Sequence, residues 1–285
     1  MIFLLDQVAP QNLSNSPRTI CKKSERNILI QNPDKFSITG IGLQAINGKS
    51  LIRFSSNSRV KEMIKVFTEL RMLNCQNSHI LNRLSHILTY EDLTIKKIIE
   101  ALNESILDEE LSELILNVVY PKKTKEEIVK YLEKYVEKPK MTKKEESANK
   151  NKIEEILRGI YLNLLKILES YLKEEKPMVI VLDNYKVHHA LLFKEACEYL
   201  NIILIYLPPY SPKLNPIEQV WRTIKKELSA EFIINENFLI SNFERIFYEN
   251  VDKKSFTKKW IEEYIFDKSN DLIIIDMCNE ALLPT

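Results

Sequence analysis

The chain has 285 residues, 45% of them hydrophobic, and sets 41 Lys and Arg against 40 Asp and Glu for a formal net charge of +1. That is enough apolar material for one large domain or two modest ones. It is too little net charge for a global basic field, so any grip on nucleic acid has to come from local patches. Cys21, Cys75, Cys197 and Cys278 stand far apart without a C-x-x-C pair, and neither G-x-x-x-x-G-K-[ST] nor G-x-G-x-x-G occurs. These facts argue against a zinc ribbon, a disulfide framework and glycine-rich nucleotide loops, and for a reducing, cytoplasmic setting. No stretch reaches the roughly 18 apolar residues of a membrane span. The apolar start Met1–Leu5 is too short for a signal peptide, so no membrane partner is expected.

The first element is "MIFLLD", an apolar run that predicts a buried strand ending at Asp6. Lys35–Ile46 is rich in β-branched residues, Asn47–Lys49 is a hairpin turn signal, and Ser50–Ser56 is the return strand. From Arg59 the apolar period becomes helical at Val60, Met63, Ile64, Phe67 and Leu70, and helical patterns continue to about residue 118. They include "LTIKKIIEALNES" and "LDEELSELILNVV". Thr124–Lys138 reads as a further helix, opened by a Thr124/Glu127 capping box. Pro139–Lys152 is charge-dense and predicts a linker or frayed helix end. A long amphipathic helix over Ile153–Leu172 precedes a buried strand, Met178–Leu182, closed by Asp183. A helix over His189–Asn201, a strand over Ile202–Leu207, a proline-rich loop and the helix bearing Glu218 complete the pattern.

This order predicts an α/β fold, a mixed sheet flanked by helices, with an all-helical insertion. The expected organisation is a discontinuous core of residues 1–56 and 153–250, a helical insertion with a Lys-rich linker over 57–152, and a C-terminal helical tail over 251–285.

Two strands of similar character, "IFLLD" and "VIVLD", end in aspartates. If they lie side by side and parallel, Asp6 and Asp183 meet at the functional edge of the sheet. Two carboxylates that close repel unless a cation lies between them. Magnesium suits that place because it takes oxygen ligands, and a third acid would allow a two-metal arrangement for phosphoryl displacement. Glu218 is the candidate third acid. Pro208, Pro209 and Pro212 stiffen the approach to its helix, Asn215 is a good N-cap, and Pro216 suits the first helical position, which puts Glu218 third. A plainer reading stays open at this level: Asn-x-x-Glu is itself a capping box, and strand-ending aspartates also serve as turn residues.

"VLDNYKVHHA" followed by "LPPYSPKLNPIEQVW", with 34 residues between Asp183 and Glu218, resembles the catalytic core of mariner-like insertion-sequence transposases of the DDE superfamily. "FLLDQ" resembles that family's first-aspartate strand, and "ITGIGLQAINGKSLIRF" the hairpin after it. The resemblance covers about Met1–Ser56 and Ile153–Tyr248. It implies a ribonuclease H-like fold with Asp6, Asp183 and Glu218 as catalytic, metal-holding acids for two Mg²⁺ ions, with Mn²⁺ as a substitute. The implied reaction is DNA strand cleavage at transposon ends and strand transfer to target DNA. The implied partners are double-stranded DNA and a second copy of the chain, with a TA target. Such proteins carry helix-turn-helix units ahead of the catalytic domain, whereas this sequence opens on the first catalytic strand. The expectation is a separately encoded helix-turn-helix subunit, or else a truncated remnant acting only as an interaction module.

Asn184 and His188 match the Asp-Asn-x-x-x-His pattern and are expected as supporting groups around Asp183, or as polar turn residues. Arg222, Lys225 and Lys226 lie four, seven and eight residues after Glu218 on one helix face. With Lys213 they form the candidate DNA-binding set, a solvated charged face being the alternative. Trp221 is expected to pack its helix against the sheet.

Overall fold

The computed structural model describes residues 1–10, 36, 38–56, 59–77, 94–103, 116, 120–136, 143–209, 211–229 and 231–264. The chain divides into two units, one of residues 1–74, 176–193 and 202–285, the other of residues 75–175 and 194–201. The cuts at 74/75 and 175/176 differ from the boundaries of 56/57 and 152/153 expected from sequence.

The first unit is built on a five-stranded sheet in the order β3-β2-β1-β4-β5. Its strands are β1 (Ile2–Val8), β2 (Thr39–Ala45), β3 (Leu51–Ser55), β4 (Met178–Leu182) and β5 (Ile202–Tyr206). The pairs β1/β2 and β2/β3 are antiparallel, and β1/β4 and β4/β5 are parallel. β1 is central, and Phe3, Leu4 and Leu5 are fully buried in succession, as expected of a strand covered on both faces. This mixed sheet with flanking helices is the α/β arrangement that the element order predicted, and it is consistent with the ribonuclease H-like fold that the resemblance implied.

Register decides what the sheet presents. Ile2, Phe3 and Leu4 pair with Val179, Ile180 and Val181. The same offset, continued two residues, sets Asp6 level with Asp183. One expectation needs correction: β1 does not end at Asp6. Past Leu4 the strand leaves β4 but continues along β2, with Asp6 opposite Gly42 and Val8 opposite Gly40. Asp6 is thus held on one side by a ladder, while Asp183 lies just beyond β4.

Helix α1 (Val60–Leu73) buries Met63, Ile64, Phe67 and Leu70, the period read from the sequence. On the same unit lie the helices 217–228, 236–250 and 254–264. The helix 217–228 turns Ile217, Val220, Trp221 and Ile224 inward at helical spacing. There they join Val8, Ile52, Phe243, Ile246, Phe247 and Val251 in one apolar cluster. The helix 236–250 is capped by Asn235, whose side chain accepts from the Phe238 N–H at 2.8 Å.

In the second unit, α2 (Ile95–Asn103) packs on α3 (Lys125–Glu133). The predicted capping box forms: Glu127 N–H donates to Thr124 Oγ1 at 3.3 Å, and Thr124 N–H to Glu127 Oε2 at 3.0 Å. Helix α4 runs unbroken from Lys143 to Leu172. Residues 143–152 of the stretch expected as a linker or frayed helix end are therefore helical, and residues 139–142 lie outside the described residues. Lys, Glu and Ala are strong helix formers, and pairs such as Lys152–Glu155 at 2.7 Å add to the helix along its exposed side. Helix α5 (Leu191–Tyr199) starts in the first unit and ends in the second, where Glu195 accepts from Arg158 of α4 at 2.9 Å. The helices 217–228, 236–250 and 254–264 are α6, α7 and α8. The expected helix over "LDEELSELILNVV", the tail beyond residue 264, Cys21, Cys278 and Tyr210 lie outside the described residues.

Candidate active site

Asp6 sits inside β1 with both oxygens engaged. Oδ1 accepts the Gln7 backbone N–H and Oδ2 accepts the indole N–H of Trp221, each at 2.8 Å. Burial, and then the carboxylate of Glu218, push its pKa up to about 7, with Asp183 adding to the rise. The two hydrogen bonds act the other way and are outweighed. Asp6 thus senses both other candidate acids across a distance at which charge counts.

Asp183 meets different surroundings. Its side chain is 59% exposed; Oδ1 accepts from the Tyr185 N–H at 3.3 Å and lies 3.0 Å from His188 Nδ1, which is also 3.1 Å from the Asp183 carbonyl oxygen. The His188 hydrogen bond is the largest cause holding this carboxyl below the usual carboxylate range. His188 lies in a 3-10 turn, Lys186–His189, and is 1% exposed. Its carbonyl accepts from the Tyr206 hydroxyl at 2.7 Å, and its Nε2 lies 3.4 Å from Gln7 Nε2. The pattern fits a ring with its proton on Nδ1, given to Asp183, and with Nε2 accepting from the Gln7 amide. Gln7 also reaches Met63 Sδ on α1 at 3.6 Å. It therefore connects the strand of Asp6 to the histidine of Asp183, a role that sequence reasoning missed. The only trace in the sequence was that Gln7 directly follows the candidate acid.

Glu218 is half-buried in the first turn of α6. The predicted Asn215 cap does not form. The helix starts at Ile217 with Pro216 in the cap position, so Glu218 is its second residue. Buried Asn215 instead donates from Nδ2 to the Leu5 carbonyl of β1 at 2.8 Å. That bond binds the start of α6 to the residue before Asp6, which outweighs a local cap worth about 1 kcal/mol. Trp260 Nε1 donates to the Leu214 carbonyl at 2.7 Å and secures the same loop from α8.

Asn184 does not touch Asp183. Its amide donates to the Leu207 carbonyl past β5, and its Oδ1 lies 3.2 Å from His189 Nε2. His189 in turn stacks on Tyr206 at 4.6 Å. Asn184 thus joins the ends of β4 and β5. Lys213, Arg222, Lys225 and Lys226 are all exposed, the last three on α6. Trp221 packs as expected, stacked on Phe247 at 5.6 Å and tilted against Phe243 at 5.9 Å. Its hydrogen bond to Asp6 was not foreseen.

Asp6, Asp183 and Glu218 are hard oxygen donors, and burial, followed by the charges of Glu218 and Asp183, raises the pKa of Asp6. This donor set suits a hard divalent cation. Among the described residues, no three His, Cys, Asp or Glu side chains already stand close enough together to hold one ion.

Residues 105–240 match the family model of the DDE superfamily endonucleases. Over those residues, a little under half of its length, the chain is similar to the DDE superfamily endonucleases. The match contains Asp183, Asn184, His188 and Glu218; Asp6 lies outside it and is tied to the others by register and electrostatics. No curated protein matches the chain. Among the described residues no helix is long and apolar enough to cross a membrane.

Proposed function

We propose that this chain is the catalytic domain of a DDE transposase that cuts DNA at transposon ends and joins the freed 3′-hydroxyl to target DNA. In this reading Asp6, Asp183 and Glu218 hold the catalytic Mg²⁺, two ions with Mn²⁺ as a substitute. The observation that supports the proposal is geometric: the β1/β4 register runs Asp6 level with Asp183, and the Asn215 and Trp221 hydrogen bonds fasten the start of α6, which bears Glu218, to β1. The bound metal would supply charge stabilisation of the scissile phosphate and an activated water or hydroxyl.

The chain's own residues do the rest. His188 keeps Asp183 ionised and oriented. Asn215 and Trp221 attach the helix of Glu218 to the strand of Asp6, so the two acids keep a fixed separation. Lys213, Arg222, Lys225 and Lys226 would take backbone phosphates and position both strands without reading sequence. The protein needs no covalent intermediate with DNA. It would work as a homodimer on the transposon ends.

The test is a plasmid-nicking and strand-joining assay with purified chain and Mg²⁺ or Mn²⁺. The expected result is metal-dependent nicking that Asp183→Ala removes. A chain that binds no divalent cation and nicks no better than Asp183→Ala is a remnant that keeps the fold alone. Cleavage of branched DNA without joining would make it a nuclease of another kind on the same fold.

A further inference from the structure

We propose that Trp221 is the positioning residue for Asp6, and that Gly42 is a glycine because a side chain there would displace the indole. This inference rests on the metal-dependent reading above and adds the device that keeps its first acid in place.

Gly42 stands directly across the β1/β2 ladder from Asp6. A Cβ on it would fall 2.2 Å from Cη2 and 2.6 Å from Cζ2 of Trp221, and 3.4 Å from Ile217 Cδ1. Real Cβ atoms do not approach that closely, and the obstacle is a rigid ring, not the end of a flexible chain. The indole is 2% exposed, stacked on Phe247 and leaning on Phe243, so it has nowhere to retreat. It therefore occupies the space of the missing side chain, and from there its N–H reaches Asp6 Oδ2 at 2.8 Å.

Indole has one donor and no acceptor, so the bond has a single sense and favours a carboxylate over a carboxylic acid at Asp6. It also fixes which oxygen of Asp6 faces the helix. Trp221 follows Glu218 by three residues, so one turn of α6 carries both a candidate metal ligand and the group that orients another. A phenylalanine would fill most of the same volume without the N–H. Packing accounts for the glycine but leaves the choice of tryptophan over phenylalanine unexplained; the hydrogen bond to Asp6 explains it.

The experiment begins with the unaltered chain. With the tryptophans labelled at the indole nitrogen and Trp260→Phe used for assignment, the Trp221 N–H resonance should shift saturably as Mg²⁺ is added, and should stay still in Asp6→Asn. Calorimetric titration with Mn²⁺ should then show about 10- to 100-fold weaker binding in Trp221→Phe and in Gly42→Ala, the usual cost of removing a partner behind a metal ligand. The double variant should be no worse than the poorer single one, because both changes break the same bond. A Trp221 resonance unmoved by saturating Mg²⁺, or a Trp221→Phe chain that binds Mn²⁺ like the parent, overturns the inference while leaving the nuclease reading intact. If the parent chain binds neither ion, both fall. Should the variants fail to fold, the resonance measurement on the parent still decides.

Discussion

Asp6 and Asp183 follow nearly the same string of apolar residues, on neighbouring parallel strands, level with one another. Yet they hold protons in opposite ways. Burial within a ladder, and then the charge of Glu218, push the pKa of Asp6 up to about 7. Asp183 is exposed beyond the end of its strand and rests on His188, which lowers its pKa. The comparison teaches that a shared strand signature sets position along the sheet edge, while charge is set by whatever the rest of the fold brings alongside.

Substitution breaks the pair most severely. Asp6→Asn and Asp183→Asn should each reduce metal-dependent plasmid nicking by at least about a hundredfold, since a catalytic metal contributes several kcal/mol of transition-state stabilisation. Their effects on stability should diverge. In melting experiments at pH 8 with chelator present, Asp6→Asn should raise the melting temperature, because it removes a buried repelled charge. Asp183→Asn should lower it slightly, by about 1 kcal/mol or less, because that hydrogen bond is half-exposed.

Changing pH sharpens the contrast. The folded pKa of Asp6 lies above its unfolded value, so its contribution to stability is complete at low pH, declines from about pH 4, and is lost as pH rises through about 7. The folded pKa of Asp183 is lowered, so its contribution is present above the unfolded value and lost as pH falls through the folded one. The metal-free chain should therefore lose on the order of a few kcal/mol through Asp6 between pH 4 and 8. Asp6→Asn should flatten that limb, and Mg²⁺ at pH 8 should restore the melting temperature of the parent. A parent chain whose melting is unchanged from pH 5 to 8 would mean that Asp6 is not in the field described here.

The link between the two acids comes next in size. Gln7→Leu removes the amide that faces His188 Nε2 and should cost ~1 kcal/mol of stability. It should also reduce nicking by about tenfold through a loosened His188–Asp183 hydrogen bond. His188→Ala should do more, because it takes away the partner of Asp183 itself. The smallest effect belongs to the exposed cations. Changing Lys225 and Lys226 together to Ala should weaken binding to any DNA alike and reduce the salt dependence by a slope of about 2, roughly one for each phosphate no longer neutralised. An unchanged slope would return them to the role of a solvated face.

Much of the fold was legible because it depends on short-range patterns. Apolar runs predicted the strands, the change of period at Arg59 predicted α1, and the Thr124/Glu127 box formed as read. Asp183 and Glu218 stood out for the same reason: the motif around each is a few residues long. Gln7, Trp221, Gly42 and Asn215 did not stand out as site residues. Their partners lie far away in the chain, 181 residues for Gln7 and His188, 215 for Trp221 and Asp6, and 210 for Asn215 and Leu5. Asn215 was misread as a cap because a local pattern was available, while the bond it makes goes to another strand.

From its sequence alone this protein was committed to a mixed α/β sheet, a proline-stiffened approach to α6, and acids at recognisable places, because strand, turn and helix preferences act between near neighbours. Only the tertiary structure decided that Asp6 lies level with Asp183, that an indole fills the gap over a glycine to reach it, and that one aspartate is driven toward its proton while the other is drawn away. Those outcomes depend on register, burial and the distance between charges, and none of these exists until the distant segments have met.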